Sequence, residues 1–134
     1  MSINKNIFPI LIWALSSLIG LAIHSLYIMF LMGIDWLAPI RYLTFSPIST
    51  IVVFLFWYFA IPYGIKKIPH NKISEKEDAY RYGIQMAGTH LFFDFTFNLF
   101  FVFGGIIYFS HLAPWIGYVF LYWFTKRNVE KLNN

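Results

Sequence analysis

Apolar residues in this chain gather into runs long enough to cross a bilayer instead of recurring at the intervals of a surface helix. Positions 7–31 contain no Lys, Arg, Asp or Glu, and about 20 predominantly apolar residues suffice for a spanning helix. The run also exceeds the ~7–15 residues of a secretory h-region, so it reads as an anchor and not as a cleaved leader. A second run opens at Ser46-Pro47, a capping residue followed by a proline suited to the first helical turn. It covers 47–65 and falters at Pro62, just before Lys66 and Lys67.

A third run, 84–109, holds no Lys or Arg. Ser74-Glu75-Lys76-Glu77 has the spacing of a capping box, which places the start of that helix earlier and carries it through Tyr80 and Tyr82. The fourth segment, 112–127, is the least apolar. Pro114 to Phe124 is too short to cross alone, so Lys126 and Arg127 have to reach back to the headgroups. A re-entrant segment is the alternative there.

Charge decides between the two. Cytoplasmic loops carry the excess of Lys and Arg. Lys5 precedes the first run; Lys66, Lys67, Lys72, Lys76 and Arg81 lie between the second and third; Lys126, Arg127 and Lys131 follow the fourth. With four crossings all of these share one side and only Arg41 lies opposite. The pattern predicts an N-in/C-in topology.

Composition agrees. Of 134 residues, 59% are hydrophobic, 22% aromatic and 12% charged, against roughly 25% charged in ordinary soluble domains. The expectation is an all-α membrane protein, a four-helix transmembrane bundle forming one integral domain over 1–134, with the bilayer as its first partner and a bacterial cytoplasmic membrane as its location. The net charge of +4 comes from residues at the ends of apolar runs, which argues against nucleic acid as a partner and for topology and anionic lipid. The absence of cysteine excludes disulfides and thiolate chemistry. The outer connection, Gly33 to Phe45, carries Trp36, Tyr42 and Phe45, which suit the membrane interface, and an Asp35–Arg41 pair that can form there.

Ionisable groups within a span are costly, by ~2.5–3.5 kcal/mol even on lenient scales, which singles out His24, His90 and Asp94. On the third helix His90, Asp94 and Asn98 recur every four residues and so share a face, with Gln85 below and Gly105 above. On the first, Trp13, Ser17, Gly20 and His24 follow the same spacing. Ser16 and Gly20 form a small-xxx-small pair for close helix packing, with Gly105 a further contact point. Counting helical rise puts His24 and His90 about 15 Å apart in depth, too far for both to hold one metal. His70 and His111 fall in or near loops and read as solvated. Trp115, Tyr118, Tyr122 and Trp123 read as an interfacial aromatic belt.

No Gly-x-Ser-x-Gly, phosphate-binding Gly-Lys-Ser/Thr or His-Glu-x-x-His motif occurs, so no enzyme class is indicated and no cofactor or metal site is predicted. The polar ladder points to handling of protons, ions or a small solute by a homo-oligomer or beside a larger membrane partner. An accessory subunit of a larger membrane complex, and a metal- or haem-binding membrane protein, remain as alternatives.

Overall fold

Prolines mark the first turns of three helices: Pro9, Pro47 and Pro114, where the missing amide hydrogen would have no intrahelical partner. The computed structural model describes residues 3–32, 47–68, 76–101, 109 and 112–132. Among them run four helices and no strand: α1 (Phe8–Met32), α2 (Pro47–Lys67), α3 (Lys76–Phe101) and α4 (Leu112–Glu130). The start of α1 is held by Asn4, whose side-chain Oδ1 accepts the Asn6 N–H at 3.0 Å and whose carbonyl accepts that of Phe8 at 3.1 Å. α2 continues through Pro62 to Lys67 instead of ending before it; the ring removes one hydrogen bond, to the carbonyl four residues earlier, and the helix absorbs the loss. α3 is already helical at Lys76, as the early start predicts.

Two of the helices, over Phe8–Tyr27 and Ile48–Lys67, are long and apolar enough to cross a membrane. α3 owes its lower hydropathy to the charges of its first turns and to Gln85, His90 and Asp94.

The most extensive seams join α3 to α4 and α1 to α2, with lighter ones from α1 to α3 and α2 to α4. α1 and α2 are antiparallel: the Ile3 N–H donates to the Lys67 carbonyl at 3.1 Å, and Phe8 lies over Gly64. α3 and α4 are antiparallel too, with Lys126 over the Tyr80 ring at 4.1 Å near one end and Tyr118 on Asp94 further along. α2 and α4 run parallel, Phe54 meeting Phe120 and Tyr58 meeting Phe124. The helices therefore stand in the cyclic order α1, α2, α4, α3, with the α1–α2 and α3–α4 neighbours antiparallel and the α2–α4 and α1–α3 neighbours parallel. α2 and α3, consecutive in sequence, are diagonal.

This arrangement brings Lys5, Lys66, Lys67, Lys76, Arg81, Lys126, Arg127 and Lys131 to one end. At this end Ile61, Ile65, Met86, Leu121 and Val129 are fully buried. Lys126 pairs with Glu130 at 3.6 Å, and the Arg127 guanidinium lies over Trp123 at 5.1 Å. The outward faces are strongly apolar, with Phe30 89% and Phe59 69% exposed, and Phe92 and Phe95 more than half exposed.

Small residues set how closely the helices approach. Ser16 is buried and returns its hydroxyl to the Trp13 carbonyl at 3.0 Å. A side chain begun at Gly20 would stand 3.3 Å from Val53, so this glycine packs α1 on α2. Gly83 against Tyr122 and Gly117 against Trp57 do the same for the other seams. The readings made for Arg41, Lys72, His70, Gly105, His111, the Ser46 cap, the Ser74-Glu75 part of the capping box and the interfacial loop 33–45 fall outside the described residues, as does the Asn98 side chain.

Candidate functional site

Next to the packed basic end the four helices line a cavity of about 490 Å³, within the ~300–1,000 Å³ typical of small-molecule sites. Every helix contributes a wall. α1 supplies Trp13, Ser16, Ser17, Gly20 and His24; α2 supplies Ser49, Thr50, Phe54 and Trp57; α3 supplies His90, Asp94 and Phe97; α4 supplies Pro114, Gly117 and Tyr118. The four-residue spacings seen in α1 and α3 thus belong to two walls of one space.

Asp94 is the anchor. Its Oδ1 accepts the Trp13 indole N–H at 2.8 Å, and its Oδ2 accepts the Tyr118 hydroxyl at 2.7 Å. Both partners donate, and each carboxyl oxygen accepts one of them. Trp13 is further fixed by stacking on Phe93, ring centroids 4.6 Å apart. Asp94 thereby ties three helices together at the level where the packed end meets the cavity.

One turn nearer the basic end sits His90, 2% exposed. Its Nδ1 lies 2.8 Å from the Met86 carbonyl. A carbonyl only accepts, so Nδ1 carries the hydrogen and, in the neutral ring, Nε2 presents a lone pair. That Nε2 is buried and has no partner among the described residues. The ring meets Trp57 edge to face at 5.6 Å, and the Trp57 indole N–H is likewise buried without a partner there.

His24, also buried, lines the same cavity. It lies eleven residues, or about 16 Å of rise, beyond the Trp13 that meets Asp94. His24 and His90 thus mark the two ends of an elongated space. Gln85 is half-buried and does not line it: five residues from His90 is a rotation of about 140°, against about 40° for four. Among the described residues no three His, Cys, Asp or Glu side chains are grouped to hold a metal ion.

Sequence reasoning missed three participants. Tyr118, assigned to an aromatic belt, is 8% exposed and turned inward onto Asp94, while its neighbours Trp115 and Trp123 are exposed. Its signal lay in the inward line Pro114, Gly117/Tyr118, Leu121 and Thr125, all buried. Trp57 and the Ser49-Thr50 pair on α2 were also overlooked. No protein-family model, curated protein or solved structure matches the chain.

Proposed function

We propose that this chain is an integral membrane protein of four spanning helices, with both termini in the cytoplasm, whose work is to take a small solute into the cavity between its helices. The single observation that carries the reading is the cavity itself, with Asp94 held at its base by Trp13 and Tyr118. A buried ionisable residue in a span is a functional site by default. The membrane setting is supported by the apolar outward faces, which exceed what a soluble monomer exposes, and by the gathering of basic residues at one end.

The packed apolar end beneath His90, and the position of Gln85 outside the lining, favour a blind cavity over a continuous proton path. A cavity that serves a solute has to be reachable from water. Since the chain has no native cysteine, Ser17→Cys provides a clean reporter in the cavity wall. In intact cells its thiol is expected to react with a small impermeant thiosulfonate, and the protein extracted from native membrane is expected to be a monomer or homo-oligomer. An inert thiol together with a stoichiometric larger membrane partner would replace this reading with that of an accessory subunit.

A further inference from the structure

α2 carries a second patterned face, turned away from the cavity. On the outer side of the α1–α2 seam, Ile19 of α1 and Val52, Phe56, Phe59, Ala60 and Tyr63 of α2 line an open apolar groove that shares no residue with the cavity. The α2 positions recur at helical spacing and so form one stripe. From Val52 to Tyr63 the stripe rises about 16 Å, close to the ~15 Å of one leaflet, half of a ~30 Å hydrocarbon core. One turn beyond Tyr63 the stripe ends on Lys66 and Lys67, both exposed. The Lys67 ammonium stands 5.6 Å from the centroid of the Tyr63 ring, itself a groove wall. Among the described residues neither lysine is in an ion pair.

We infer that this groove seats an anionic phospholipid of the cytoplasmic leaflet: one acyl chain lies along the stripe, and the headgroup phosphate meets Lys66 and Lys67. This rests on the reading of the chain as a membrane-spanning protein with its basic end in the cytoplasm, and adds a partner to it. Length and charge set the orientation, since the groove runs from the basic end for the depth of one leaflet and the cytoplasmic leaflet is the anionic one. The relief of the groove favours an acyl chain over a helix. Ala60 is a single small residue among the rings of Phe56, Phe59 and Tyr63, whereas close approach of a helix about 10 Å wide needs repeated small residues. A flexible chain can follow the space beside Ala60. A zwitterionic lipid fills the groove equally well, but its own cation opposes the lysines, so it binds more weakly.

The test uses the full-length chain, extracted from membrane in detergent, stripped of native lipid and titrated with equimolar palmitoyl-oleoyl phosphatidylglycerol and phosphatidylcholine. Native mass spectrometry counts the lipids that each molecule retains. A juxtamembrane lysine contributes about fivefold to attraction of anionic lipid, so with two lysines phosphatidylglycerol is expected to bind about tenfold more tightly than phosphatidylcholine. Lys67→Gln is expected to cut that preference about fivefold. Lys131→Gln removes the same charge from the same end, but at the close of α4, and is expected to change the preference by roughly twofold at most. Ala60→Phe fills the groove without altering charge. It is expected to lower retention of both lipids by about threefold or more, as the acyl chain loses its van der Waals contacts.

Equal losses from the two glutamine variants would make the preference a property of the whole basic end and overturn the seat. Unchanged retention in Ala60→Phe would overturn the placement of the acyl chain; should that variant fail to fold, Ile19→Phe fills the groove from α1 and takes its place. A lipid-free dimer that Ala60→Phe dissolves would give the groove to a second copy of the chain. Recovery of the chain from the soluble fraction without detergent would overturn the membrane reading itself. A membrane-extracted chain with equal affinity for the two lipids would overturn this assignment alone.

Discussion

Tyr118 and Asp94 meet across the α3–α4 seam, phenol to carboxylate at 2.7 Å. Removing the hydroxyl leaves one carboxylate oxygen without this donor. Tyr118→Phe is expected to lower stability by about 1–2 kcal/mol, the upper range for hydrogen bonds between helices in a bilayer. Trp123→Phe, on an exposed ring a little further along α4, is expected to stay within about 0.5 kcal/mol. Thermal unfolding of the two purified variants in one detergent checks the contrast; equal shifts would return Tyr118 to the belt.

The two donors on Asp94 serve one charge, so their effects are coupled. Trp13→Phe with Tyr118→Phe is expected to depart from the sum of the single variants by about 0.5 kcal/mol or more. Asp94→Leu is expected to reduce stability markedly, whereas Asp94→Asn, which keeps an acceptor for one donor, is expected to retain more of it. A double-mutant cycle read by thermal unfolding decides this, and strict additivity would show that the two bonds are independent.

Phe8 occupies the space that any side chain at position 64 would enter. Gly64→Ala therefore forces the ring aside and is expected to cost about 1–3 kcal/mol, the usual penalty for overpacking. Phe8→Leu in the same chain shortens the obstructing group and is expected to recover part of the loss. If Gly64→Ala is silent, the end of α2 packs less tightly on α1 than the structure shows.

Topology has its own test. Cysteines placed by Ser2→Cys, Asn71→Cys and Asn133→Cys are expected to resist an impermeant thiol reagent added to intact cells, while one placed by Thr44→Cys reacts. Outside labelling of the chain carrying Asn133→Cys would end the four-crossing reading.

The walls of the cavity were legible in the sequence where a polar group interrupts an otherwise apolar run. His90 and Asp94 on α3, and Trp13, Ser17, Gly20 and His24 on α1, stand out because four residues bring a helix back to nearly the same face. The partner of Asp94 on α4 was not legible, because Trp115, Tyr118, Tyr122 and Trp123 lie within about 140° of one another around that helix and only packing selects the one that turns onto Asp94. Trp57 was hidden for the same reason in an aromatic stretch of α2. Gln85 drew attention by its polarity, and rotation around α3 leaves it outside the cavity lining. Helix order around the bundle was beyond reach, since apolar helices that face apolar surroundings leave almost no periodic record of their neighbours.

The diagonal placement of α2 and α3 has a consequence for the order in which the protein is made. α1 and α2 can close on each other as soon as both exist, their seam needing nothing that comes later. The cavity cannot, because Pro114, Gly117 and Tyr118 form its last wall and leave the ribosome after everything they enclose. Asp94 thus emerges before its donor Tyr118, with its donor Trp13 already made. Docking of α4 is therefore the event that encloses the cavity, which only the finished chain possesses.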